Sequence, residues 1–272
     1  MEKKKKFISL LFLSNLLVVF IFMFLFIFYL PFLTSALVKY DTAWILILII
    51  LYRILSFILF CGFLYYKWFK QEVIYTSDGF FLFALFYNLF IYGKWFDLFS
   101  YLAFGTESIN ESFFLIILKI RYLIIILEAI PLLYLGLEIL VNYLKTRLEL
   151  IKENQSKKIR QLIILIFLSI MTVLILIAPT STFIINLFPI LVFGTILGIV
   201  IMFLFMYRMK LLSQANGLII GIGFILFMIS SIIRSILSTQ FNPIPVIISE
   251  IIDSFVFLVI FIGFIKKPKY KK

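Results

Sequence analysis

Glu250 and Asp253 stand three residues apart in a run, Ile244 to Ile265, that is otherwise almost wholly apolar. On a helix that spacing puts two carboxylates on one face. There they can hold a basic side chain, a cationic solute or, jointly, a divalent metal ion. Arg53, Arg121, Glu128 and Arg234 also interrupt apolar runs long enough to cross a bilayer. A charge in hydrocarbon costs at least about 2.5–3.5 kcal/mol unless it is paired, hydrated or able to reach an interface. Residues retained against that cost are the best sequence-level pointers to a site.

Depth, counted along each run, suggests partners. Arg53 and Glu128 both fall near the middle of their runs and are expected to pair with each other or to share a water-filled cavity. Arg234 lies about one turn from the outer end of its run, and the next run begins after a short turn containing Pro243 and Pro245. As antiparallel neighbours, these runs let Arg234 reach Glu250 or Asp253, with Ser230 and Ser231 one turn earlier on the same face. Arg121 shares a face with Glu128 two turns on. Arg53, Arg121, Glu128, Arg234, Glu250 and Asp253 are thus expected to line one outward-facing polar pocket. A plainer reading stands beside this one. Buried ion pairs also fix helix register, and charges within two turns of an interface snorkel. Lys119, Glu138 and Asp97 are read that way, with Lys94 and Asp97 pairing i,i+3 near the outer interface.

The surrounding chain defines the solvent. Of 272 residues, 64% are hydrophobic, 14% are charged and 35 are Phe, a balance far from that of a soluble domain. Disorder is excluded by the same richness in apolar residues. The net charge of +12 does not indicate a nucleic-acid reader, because the basic residues form no amphipathic module. With no histidine and Cys61 alone, His-based triads, His metal sites, disulfides and thiolate clusters are excluded. No metal or cofactor is expected. Cys61 is read as a small packing residue.

A spanning helix needs about 20 mostly apolar residues. Eight such runs are present, at 7–30, 43–65, 79–99, 113–140, 162–178, 189–207, 217–238 and 244–265. Pro31, Pro179, Pro189, Pro243 and Pro245 fall at their expected ends. The first run is too long for a signal h-region and reads as an uncleaved anchor. The third is the least regular, broken by Gly93, Lys94 and Asp97, and is expected to be short, tilted or partly re-entrant. With the N-terminus inside, nineteen of the 25 basic residues fall on the inner side: Lys3 to Lys6, Lys67, Lys70, six between Lys145 and Arg160, Arg208, Lys210 and five from Lys266 to Lys272. Only Lys39 and Lys94 fall outside, so both termini are expected to be cytoplasmic. Trp44, Trp68 and Trp95 are expected in the interfacial aromatic belts.

The expected architecture is all-α: a polytopic integral membrane protein in which 1–272 form one helical domain of about eight spans with short loops, in the cell membrane. Gly194/Gly198 and Gly217/Gly221 carry the small-xxx-small spacing that lets helices approach closely. They are expected to pack two spans together, or alternatively to form a homodimer or membrane-partner face. The basic inner side suits anionic lipid, and no nucleic-acid partner is expected. Three functions fit. The foremost is non-enzymatic binding or translocation of a small polar or ionic solute. The others are a sensor or scaffold acting through the basic inner face, and a lipid-modifying enzyme using a divalent cation on Glu250 and Asp253.

Overall fold

The computed structural model describes residues 2–39, 41–106, 110–148, 153–237 and 243–270; within these, the side chains of 2–5, 32, 36, 103–106, 146–148, 153–154, 188–191, 234–237 and 243 lie outside the description. The chain runs through α1 (Glu2–Lys39), α2 (Ala43–Phe69), α3 (Gly79–Thr106), α4 (Glu111–Leu148), α5 (Glu153–Leu176), α6 (Ser181–Arg208), α7 (Gly217–Leu237) and α8 (Pro243–Ile265). No strand occurs among the described residues. Among the described residues seven helices are long and apolar enough to cross a membrane, and α7 contributes a shorter apolar segment over Gly217–Ile233.

Helix starts follow from short polar side chains that satisfy the orphan amides of a first turn. Asp78 Oδ1 accepts from the Phe80 amide at 2.8 Å, ahead of α3. Asn110 Oδ1 accepts from Ser112 at 2.9 Å, so the first residue of the Asn110-Glu111-Ser112 triplet opens α4. Thr180 Oγ1 accepts from Phe183 at 3.2 Å for α6. Asn216 Oδ1 takes the Leu218 and Ile219 amides at 3.1 and 3.3 Å for α7.

The third run is neither short nor re-entrant. α3 is one unbroken helix of 28 residues, and its position explains its composition. It packs against α1, α2 and α4, and its side chains also reach α8. Two thirds of its most apolar window is buried, against 6% for α1 and for α5. A helix sheathed by other helices need not be apolar on every face, because its neighbours rather than lipid are its solvent. α3 is accordingly the least apolar of the seven. Its lower half is fastened to α8 by aromatic packing, with Phe83 stacked on Phe264 at 3.8 Å between ring centres. α1 is fastened to α3 by a polar contact, Tyr92 donating to Asn15 Oδ1 at 3.1 Å while Asn88 donates to the Tyr92 hydroxyl at 3.0 Å.

Other expectations are met or corrected in turn. Pro31 lies inside α1, and α6 starts at Ser181, eight residues before Pro189. Pro131 sits within α4, inside the run expected over 113–140. Trp68 is fully buried, its indole N–H donating to the Tyr75 carbonyl at 3.0 Å, so it is a core residue. Trp44 does face outward. Glu138 is bridged to Arg160 at 3.4 Å and ties α4 to α5. Lys119 Nζ donates to the Leu176 carbonyl at 2.8 Å, where α5 ends and carbonyls lack helical partners. Gly217 and Gly221 lie against α6: a Cβ there would come within 2.6 Å of the Phe203 carbonyl and 2.8 Å of Leu204. That pair is engaged within the chain. A Cβ on Gly194 or Gly198 would meet nothing within 4 Å among the described residues outside its own stretch of helix.

Candidate functional site

Charged residues from four helices meet in the interior and form one continuous chain. α2 contributes Arg53, ten residues into the helix. Its Nη1 donates to Glu250 Oε2 and, at 3.2 Å, to Asp253 Oδ2, both on α8. Glu250 accepts next from Lys94 Nζ on α3, at 2.8 and 3.1 Å through its two oxygens. Lys94 also bridges Asp97, one turn along α3, at 2.7 Å. Asp97 receives the Arg121 guanidinium of α4 side-on, Nε to Oδ1 at 2.6 Å and Nη2 to Oδ2 at 3.3 Å. The third arm of that guanidinium, Nη1, donates to Glu128 Oε1 at 3.0 Å. At the far end Ser230 of α7 donates to Asp253 Oδ1. The order is Asp253, Arg53, Glu250, Lys94, Asp97, Arg121, Glu128, anion and cation alternating throughout.

Alternation is what makes the chain tolerable. Isolated buried ions carry a desolvation penalty of several kcal/mol each, and only close opposite charges with good hydrogen bonds offset it. Glu250 and Lys94 are 0% and 2% exposed, so neither reaches water by its own length. Arg53 has a further support: its guanidinium carbon lies 5.0 Å from the Phe257 ring centre and 5.4 Å from that of Phe57. Rings at this distance favour a cation electrostatically. Among the described residues Arg53 Nε is buried without a hydrogen-bond partner.

The backbone makes room for this. A Cβ on Gly93 would lie 2.4 Å from Glu128 Oε1 and 2.6 Å from Arg121 Nη1. Glycine in α3 therefore lets the α4 ion pair lie against the α3 backbone, and the residue that interrupts the apolar run is the one that admits the pair.

Beside the chain lies a cavity of about 430 Å³. Arg53, Lys94, Arg121, Glu128 and Asp253 form its charged side, with Tyr101, Asn186, Thr195 and Ser231 as further polar lining. The remaining wall is aliphatic and aromatic and comes mainly from α4, α5, α6 and α7. A mostly apolar cavity of several hundred Å³ with a few convergent polar groups is the ordinary form of a small-molecule site.

The structure thus brings together Arg53, Arg121, Glu128, Glu250 and Asp253, five of the six residues singled out from sequence. The side chain of the sixth, Arg234, lies outside the described residues. Of the two arrangements expected for Arg53 and Glu128, the direct pair is not formed, each having a different partner, whereas both do line one cavity. The Lys94–Asp97 pair does form, but in the interior rather than at the outer interface. These two residues are the centre of the chain, and sequence reasoning placed them at its margin. Their signal was present: an i,i+3 acid–base pair following a glycine, in the one run where apolar character fails. Among the described residues no group of three or more His, Cys, Asp or Glu side chains could hold a metal ion.

Apolar helices of spanning length around a buried ionic interior define an all-helical, multi-spanning integral membrane protein. Neither a family model, nor a curated protein, nor a solved structure matches the chain.

Proposed function

We propose that the protein is a carrier that binds a small polar or ionic solute in the cavity and moves it across the membrane. In this reading eight spans cross, α7 included, both termini are cytoplasmic, and the cavity opens to the outer side. The observation that carries this reading is the placement of the ion chain. It is not sealed between helices, as a register-fixing pair would be, but forms one wall of a cavity large enough for a ligand. Chain members on α2, α3, α4 and α8 are joined to one another by charge–charge contacts. A solute that takes over one contact alters the balance among four helices, which is how a local binding event biases a global state. The exposed Lys67, Lys70, Lys157, Lys158, Arg208 and Lys266 form the cytoplasmic end and engage anionic lipid there.

Side-dependent accessibility tests this. With Cys61→Ser as background, Thr195→Cys places a thiol on the cavity wall. In a carrier, a membrane-impermeant thiosulfonate labels it from outside in intact cells and from inside in inverted vesicles. Labelling from one face only indicates a fixed receptor, and labelling from neither removes the site altogether.

A further inference from the structure

We infer that the ligand of this site is an organic cation with an apolar body, bound through Glu128 and admitted from the bilayer between α5 and α6. The inference rests on the reading that the cavity binds a solute, and it specifies the class. Three observations support it.

The first is an inventory of hydrogen-bonding capacity along the chain. Glu250 accepts through both oxygens, Asp97 through both, and Asp253 through both. Arg121 spends Nε, Nη1 and Nη2 on carboxylates, and Lys94 spends its ammonium on Asp97 and Glu250. Glu128 differs: Oε1 accepts from Arg121, and Oε2 has no partner among the described residues. Its one cation is already held side-on by Asp97. Of the carboxylates in the chain, Glu128 is therefore the one with an oxygen to offer, and it lines the cavity.

The second is the wall around it. Tyr122, Phe90, Phe167, Phe224 and Phe227 line the same cavity. Aromatic faces attract cations, more strongly where water is excluded. A carboxylate oxygen open among rings favours an ammonium, phosphonium or similar centre carrying apolar arms; Arg53, Lys94 and Arg121 also line the cavity, but each already lies against carboxylates of the chain.

The third is access. α5 packs along α4, α6 packs along α4 and α7, and among the described residues no comparable packing joins α5 to α6 beyond the apolar cluster that holds Ile175 and Ile184 near their joined ends. Yet both helices line the cavity, through Phe167 and Met171 on one side and Ile185 and Asn186 on the other. The outer surfaces of these helices are apolar and exposed. The cleft between them therefore faces hydrocarbon, and a ligand using it must itself dissolve there.

Tetraphenylphosphonium and tetraphenylborate have nearly the same shape and opposite charge, so they separate recognition of sign from simple hydrophobicity. Saturable binding of each is measured on the full chain in nanodiscs, against empty discs. The phosphonium should bind and the borate should not rise above background. Glu128→Gln, which keeps the acceptor for Arg121 but removes the charge, should weaken phosphonium binding at least tenfold, with Glu128→Asp retaining more. Met171→Trp fills the α5 side without touching the ion chain and should also weaken binding, which keeps the test decisive should Glu128→Gln not fold. Phosphonium binding unchanged by Glu128→Gln overturns the inference, as does a preference for the borate. Borate binding that depends on Arg121 would overturn the cation class and leave the solute-binding reading standing. If neither probe binds, the cation class falls, and side-dependent labelling at Thr195→Cys decides the carrier reading separately.

Discussion

Gly93 on α3 and Glu128 on α4 approach so closely that a single added methyl at Gly93 would come 2.4 Å from Glu128 Oε1. In an unconstrained helix, Gly→Ala gains roughly 0.5–1 kcal/mol from reduced backbone entropy. Here the sign should reverse. Gly93→Ala must displace Glu128 and Arg121 from positions set by their ionic partners, and overfilling a packed site typically costs about 1–3 kcal/mol. Thermal unfolding in detergent should show a lower midpoint than the parent, and a higher one would refute the close approach.

Lys94 offers a direct contrast with Lys39. Read from sequence alone, both belong to outer loops, where substitution changes stability by about 0.5 kcal/mol or less. In the structure Lys94 is buried and compensates Glu250 and Asp97. Removing one partner of a buried pair costs about 3–5 kcal/mol, because the remaining charge is left unpaired. Lys94→Met should sharply reduce the yield of monodisperse protein, and Lys39→Met should not.

The pairing itself can be tested by exchanging charges. Arg121→Glu and Glu128→Arg each leave like charges in contact, and the double exchange restores one attractive contact. Folding should recover partly in the double, since Asp97 still loses its partner at position 121. Arg53→Glu with Glu128→Arg should recover nothing, because those side chains belong to different links of the chain. Recovery in the second double and not the first would replace the pairing described here with the one suggested by depth.

The two glycine pairs should behave oppositely. Gly217→Ala brings a methyl to 2.6 Å from a backbone carbonyl of α6, which cannot swing aside as a side chain would. It should lower the unfolding midpoint. Gly198→Ala meets nothing within 4 Å and should hold or raise it through helix propensity. Equal destabilisation at both positions would mean that Gly198 also lies in a packed interface.

Much of the helical layout was legible in sequence because hydrophobic length is a one-dimensional property. Boundaries shifted where proline was treated as an end: Pro31 and Pro189 lie inside helices because a helix tolerates the missing amide when neighbouring turns hold it. Lys94 and Asp97 were misplaced for a related reason. Loss of apolar character can mean a loop outside the membrane or a helix hidden from lipid by other helices, and composition is the same in both. Only the sheath of α1, α2, α4 and α8 around α3 tells them apart.

Composition and run length determine that lipid is the solvent and that the chain is helical. They do so because transfer into hydrocarbon is charged residue by residue along the chain. Which charge meets which was decided by tertiary structure alone. Depth states how far along its axis a helix carries a residue, but not the direction in which that residue points or the helix it faces. Arg53 and Glu128, which the sequence reading sets at one level, find different partners, because the packing of α3 and α8 sets Lys94, Asp97 and Glu250 along the chain that joins them.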